Sequence, residues 1–181
     1  MNCKPVKNIS KKLIIMIDDY INKYRRYNKL TFRKYQNLEN IDKAINNSAL
    51  ALDIKNQKSD HQYRIKTEAL ELSRKILLHN KNKISSCKDF NSLLKLIESL
   101  LKDVNGLGEL YYYDTSLKLG SYLNIFPEYI YLHRGTREGA KYLGLNYKNE
   151  YIEKTDLPNE LQILEPYELE DFLCIYKNNF I

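Results

Sequence analysis

Apolar positions in the first 105 residues recur at steps of three and four, in blocks separated by short polar stretches. That is the period of helices with one buried face. Leu13, Ile17, Tyr20, Ile21, Tyr24 and Tyr27 predict a helix from about Asn8 or Ser10 to Tyr27. Its basic end, Lys23-Tyr24-Arg25-Arg26, suits the negative end of a helix dipole. Thr31 is the expected N-cap of a second helix, with Phe32, Tyr35, Leu38, Ile41 and Ile45 along its stripe. The polar run Asp53–Asp60 breaks the pattern, and Ser59 or Asp60 would cap a third helix carrying Ile65, Ala69, Leu72, Ile76 and Leu77. After a second polar stretch, "HNKNKISS", Asp89 would cap a fourth, with Phe90, Leu93, Leu94, Ile97, Leu100, Leu101 and Val104 facing inward.

The texture changes at Gly106. All six glycines lie between Gly106 and Gly144, and glycine marks backbone that takes φ > 0 or passes close to something else. "GLGELYYYDTSLKLGSYLNIF" reads as a glycine turn and a further helix. "PEYIYLH" predicts either a helical turn started by Pro127 or a brief strand. "RGTREGAKYLGL" predicts a short helix capped by Thr136 and stopped at Gly144. Two proline-started helices close the chain, near Pro158 and at Pro166, the second burying Leu169, Phe172, Leu173 and Tyr176. The expected fold class is mainly α, a multi-helix bundle followed by a glycine-bearing region and C-terminal helices. Residues 1–105 form its basic helical bundle, and residues 106–181 the glycine-bearing part with acidic C-terminal helices, together one compact domain.

Composition narrows the function classes. No apolar run approaches the roughly 18 residues of a membrane span, and "LIIMI" is too short for a signal-peptide core. A cytoplasmic protein with no membrane partner is expected. Cys3, Cys87 and Cys174 are odd in number and widely spaced, and His61, His79 and His133 lack ligand spacing, so neither a metal nor a cofactor is expected. The net charge of +6 divides unevenly. Residues 1–105 carry 22 Lys+Arg against 11 Asp+Glu, whereas residues 106–181 carry 7 against 12. A basic half implies an anionic partner such as nucleic acid, unless it serves only to pack beside the acidic part.

The segment Leu93–Leu123 carries two resemblances. An apolar helix, the turn Gly106-Leu107-Gly108 entered from Val104, and a second helix resemble the helix-hairpin-helix element of nucleic-acid-binding proteins. In such a turn small residues let the backbone approach a phosphate, and amides at the start of the second helix point at its oxygens. Glu109 stands where the family often has Lys, Arg or Thr, and Tyr111-Tyr112-Tyr113 replaces a small residue. A plain helix corner with glycine as C-cap is the other reading. "YDTSLKLGSYLNI" is similar to the aspartate segment of the helix-hairpin-helix DNA glycosylases, in which Val-Asp-Thr opens a helix. That resemblance implies Asp114 as the catalytic carboxylate, Thr115 as its cap partner and Lys118 as the basic residue. The carboxylate would stabilise positive charge on the sugar or position the nucleophile. Asp-Thr is equally an ordinary N-cap.

A second cluster is "YLHRGTREGAKYLG", where His133, Arg134 and Arg137 surround Gly135-Thr136 at a helix start. Three donors and a helix N-terminus there would suit a phosphate. The alternative pairs Arg134 and Arg137 with Glu165, Glu168 and Asp171. His133-Arg134-Gly135-Thr136 also resembles the first motif of the ADP-ribosyltransferases, and Glu168-Leu169-Glu170 their Glu-x-Glu pair, without the β-rich core between. His61 and Arg64 read as a solvated helix start beside Glu68. The tyrosines after Gly106 read mainly as core in a chain without tryptophan.

Together these features predict a nucleic-acid-binding protein, with DNA the expected partner and DNA repair or processing the expected setting. Gly106, Leu107, Gly108, Lys118, His133, Arg134, Gly135, Thr136 and Arg137 would make the phosphate contacts. The alternatives are a DNA glycosylase-type hydrolase centred on Asp114, and a protein-interaction module using the acidic C-terminal helices.

Overall fold

The computed structural model describes residues 6–59 and 62–180, with side chains from Lys11 onward. Cys3, Asp60 and His61 lie outside the described residues. The fold is mainly α, a multi-helix bundle with one two-stranded sheet. Its helices are α1 (Val6–Tyr20), α2 (Arg26–Gln36), α3 (Ile41–Ala49), α4 (Thr67–His79), α5 (Lys81–Ser85), α6 (Phe90–Leu101), α7 (Glu109–Leu123), α8 (Arg134–Tyr142) and α9 (Pro166–Tyr176). Strands β1 (Ile130–Tyr131) and β2 (Tyr151–Ile152) pair antiparallel, Ile130 opposite Ile152. Two compact units result. One is Lys29–Pro127; the other joins the chain up to Asn28 with everything from Glu128. Their division passes through α2, and the expected boundary at 105/106 falls inside the first, where α6 and α7 pack together.

Within Lys29–Pro127, α7 is the central helix. Tyr111, Tyr112, Tyr113, Thr115, Ser116, Leu119, Gly120 and Ser121 are all buried, so it is covered almost all round, by α6 and α3 among others. Phe90 meets Tyr113 edge-on at 5.8 Å, and the Tyr112 hydroxyl donates to the carbonyls of Leu101 and Leu107. The tyrosine run therefore builds core, as Phe or Leu would, and the Tyr111 and Tyr112 hydroxyls still find acceptors. Beyond α7 the chain turns back sharply. Asn124 is left-handed at φ 57°, and the amide of Ile125 donates to Gly120. A Cβ on Gly120 would lie 2.5 Å from the Ile125 oxygen, so no larger residue fits without moving the chain.

Several helix limits differ from the sequence expectation. The chain does not restart at Thr31. A π-helical turn, Ile21–Arg25, carries α1 directly into α2, and Thr31 is buried inside α2. The stripe assigned to one helix over Phe32–Ile45 is two helices, because Asn40 caps α3 by accepting from the amide of Lys43 at 2.9 Å. The Ser59 hydroxyl donates to the carbonyl of Ala51 instead of capping α4. "HNKNKISS" contains α5, held by the burial of Ile84. Asp89 does cap α6, accepting from the amide of Ser92 at 2.8 Å. Thr136 is buried within α8, whose N-cap is His133, and Gly144 ends that segment at φ 75°.

In the second unit, Leu13, Ile17, Tyr20, Leu132, Leu161 and Phe172 belong to one apolar core. The acidic α9 finds its partners on α1, the π-turn and the start of α2. Arg25 donates to Glu168 through two nitrogens, at 2.6 and 2.8 Å. The Tyr20 hydroxyl and the Asn28 amide both donate to Asp171 at 3.1 Å, and Tyr176 donates to Asp19 at 2.6 Å. Pro166 starts α9, and Glu168 also accepts from the amide of Glu165 in a capping box. Helices α8 and α9 meet backbone to backbone. A Cβ on Gly139 would fall inside contact distance of the Leu173 carbonyl, and one on Gly135 would lie 2.5 Å from Cys174 Sγ.

Candidate functional site

Three places hold the residues that the sequence singles out. The first is the turn between α6 and α7. After Leu101 the chain makes two tight turns, the amide of Val104 donating to Leu101 and that of Leu107 to Val104. Gly106 adopts φ 91°, which favours glycine. Gly108 is extended and is the N-cap of α7, and it has no side chain to cap that helix. Gly106 and Gly108 are exposed, and a Cβ on either would meet nothing within 4 Å. The first amides of a 15-residue helix thus stand beside open, side-chain-free backbone. Lys102, Asp103 and Glu109 around it are exposed as well.

The second place is the polar face of α7. Tyr111, Asp114, Thr115 and Lys118 are spaced i, i+3, i+4 and i+7 and so share one side of the helix. Asp114 is not an N-cap, because α7 starts five residues earlier; the Asp-Thr pair lies in the helix interior. Its Oδ2 accepts from the amide of Gln62 at 2.6 Å, and Gln62 is only 3% exposed. The Tyr111 hydroxyl donates to the Ala49 carbonyl at 2.7 Å and lies 2.8 Å from Ser73 Oγ. Burial holds its pKa up at about 12. Burial also lowers the pKa of the Lys118 ammonium, with the charge of Lys34 pushing the same way and Asp114 and Asp53 opposing. Lys34 itself donates to the Asp53 carbonyl at 2.5 Å and to Asn56 at 2.9 Å. Lys118 stands ten residues beyond Gly108, about 15 Å along the helix. It belongs to the Asp114 cluster and not to the turn.

The third place is the junction of α8 and α9. His133 Nε2 is in close contact with Glu170 Oε1, and the Thr136 hydroxyl lies 3.0 Å from the same nitrogen and donates to the same oxygen at 2.9 Å. All three side chains are buried. Gly135 packs on Cys174, whose thiol is pushed up to about 11 by burial and by the nearby Glu170 carboxylate. The two arginines diverge from this cluster. Arg137 donates to the carbonyls of Tyr147 and Asn149, at 3.3 and 2.7 Å. The Arg134 side chain is 96% exposed, with Glu138 at 4.0 Å. His133, Gly135 and Thr136 are therefore turned to α9, while Arg134 faces outward. Glu168 and Glu170, the acidic pair of the C-terminal helix, are buried against Arg25 and His133.

Sequence reasoning missed Gln62 and Glu170 as partners in these clusters. The local pattern offers no signal for Gln62, which lies 52 residues from Asp114. Among the described residues no three His, Cys, Asp or Glu side chains gather to hold a metal ion, and no helix is long and apolar enough to cross a membrane. No family model, curated protein or solved structure matches the chain, so its functional reading rests on these three clusters alone.

Proposed function

We propose that the unit Lys29–Pro127 binds nucleic acid, gripping a backbone phosphate at the α6–α7 turn. The observation that carries this reading is the pair of exposed glycines at the start of α7, with nothing within 4 Å of either Cβ position and no side-chain cap on the helix. Amides and the positive helix end favour an anion there. The unit carries 16 Lys+Arg against 11 Asp+Glu, which supplies a favourable field. Lys102 is the cation nearest in sequence to the turn, and Asp103 and Glu109 hold the affinity down. Such contacts position the backbone without reading bases, so binding is sequence-tolerant.

The test is binding to fluorescent duplex and single-stranded DNA across a salt series. A slope of log K against log salt of at least about −2 is expected on duplex, since each neutralised phosphate contributes about −0.9. No binding at low salt overturns the proposal. The alternative reading, a glycosylase-type hydrolase, draws on the hydrogen bond from Gln62 that fixes Asp114 on the buried side of α7. For that enzyme Asp114→Asn would abolish base excision while leaving DNA binding intact.

A further inference from the structure

The outward face of α1 is apolar in its middle and charged at both ends. Leu13, Met16, Ile17 and Tyr20 turn inward to the core. On the opposite side Lys11, Ile14, Ile15 and Asp18 follow at i, i+3, i+4 and i+7, the spacing of one helical stripe. All four are exposed, Ile14 at 50% and Ile15 at 61%. Isoleucine is among the residue types most often found inside, and two neighbours on one exposed stripe form a contiguous apolar patch with charge at its rim. Lys11 and Asp18 form no ion pair among the described residues. Asp19 differs, since Lys23 and the Tyr176 hydroxyl hold it.

We propose that this stripe is an interface between two copies of the chain, paired antiparallel about a two-fold axis that passes between Ile14 and Ile15. The stripe is its own complement. Reversing a second α1 about that axis sets Lys11 opposite Asp18 of the other copy, and Ile14 opposite Ile15 of the other copy. By symmetry each contact occurs twice, and the pairing closes at two chains. Lys11 and Asp18 stand about 10 Å apart along the helix, so the charges flank the isoleucines and stay at a wet rim. A parallel pair would set lysine against lysine and aspartate against aspartate, so the charges select the antiparallel register. A nucleic acid or an anionic membrane pressed onto the stripe would bring its charge against Asp18, whereas a second copy brings Lys11 to it. Two isoleucines per chain bury far less than the roughly 1,200 Å² at which standard interfaces begin, so the pairing is weak, with a dissociation constant on the order of 100 µM.

The inference is independent of DNA binding and is tested on the full chain without DNA. Analytical ultracentrifugation from about 5 to 500 µM spans the expected constant, and the average mass should move from one chain toward two. Lys11→Asp or Asp18→Lys alone sets like charges opposite each other at both ends, and should weaken association about tenfold or more. Mixing these two variants restores opposite charges at both ends, so the mixture should associate as the unaltered chain does. Ile15→Ser keeps the charges and should also weaken the pairing. All these side chains are exposed, so circular dichroism and thermal melts should be unchanged. A chain that stays monomeric at the highest concentration overturns the proposal. So does a dimer that the single charge reversals or Ile15→Ser leave intact, because it lies elsewhere on the surface. A mixture of the two charge variants that associates no better than either alone overturns the antiparallel pairing.

Discussion

Replacing Gly108 by Asp separates the α6–α7 turn as a binding element from the turn as mere structure. Gly108 has extended φ and ψ of −153° and −175°, which any residue adopts, and its Cβ position is open. An Asp there accepts from the amides of the first turn of α7, the groups assigned to the phosphate. Asp at an N-cap exceeds Gly by a few tenths of a kcal/mol. A carboxylate at the positive end of the helix adds about 0.3–1 kcal/mol. Repulsion from exposed Asp103 and Glu109 takes part of this back, leaving a net gain of about 0.5 kcal/mol. For a chain of this length that raises Tm by about 1–2 °C. Binding moves the other way: the variant's carboxylate occupies the site and repels the phosphate, so affinity at about 50 mM salt should fall more than tenfold, and the salt slope by about 1. Gly108→Ser caps the helix without charge and should bind at an intermediate level. Anisotropy titrations beside a thermal melt report both quantities. A stabilised Gly108→Asp that binds as well as the unaltered protein refutes the turn. A variant destabilised by more than about 1 kcal/mol refutes the cap geometry.

Gly139→Ala should cost about 3 kcal/mol or more in a urea melt, because the intruding methyl meets the backbone of Leu173 and α8 must move away from α9. Gly135→Ala meets only the Cys174 side chain and should cost less, with Cys174→Ala recovering part of the loss. Arg25→Met leaves the buried Glu168 carboxylate without its bidentate partner and should cost about 3–5 kcal/mol at pH 7, with Arg25→Lys in between. Lys118→Met should raise Tm at pH 7. The folded state lowers the Lys118 pKa, so below it the unfolded chain holds this proton more readily and the charge costs stability. As pH rises past the ordinary lysine range near 10.4 that cost disappears, and the two melting curves should converge. A Lys118→Met variant less stable at pH 7 would show that the ammonium is a net structural asset.

What the sequence revealed depended on the range of the interaction. Asp89 and Pro166 act on neighbours three or four residues away, and both helix starts were legible. The α1–α2 continuity was not, since a π-turn widens the helix by one residue and shifts the phase of the apolar stripe. Thr31 resembled a cap only because that phase shift looked like a break. The candidate sites divided in the same way. The Gly106–Gly108 turn is local and could be located from residue types. The Gln62–Asp114 and His133–Glu170 pairs join distant segments, and a residue's spacing says nothing about a partner fifty positions away. Burial of Glu168 and Glu170 ran against the expectation for acidic residues, because Arg25 and His133 arrive from elsewhere to meet them.

The unit that contains α1 is closed by the other end of the chain, and this orders events during synthesis. Tyr20 packs on Phe172, 152 residues later. At about 5–20 residues per second, a ribosome delivers that partner some 8–30 seconds after Tyr20. During this interval Lys29–Pro127, a compact unit continuous in sequence, emerges whole and is free to fold. The nascent α1 meanwhile leaves Leu13, Met16 and Ile17 uncovered or held by a chaperone, with Ile14 and Ile15 apolar on the far side. Arrival of α9, and not folding of the middle, is then the moment at which α1 is covered and stops being a client for quality control.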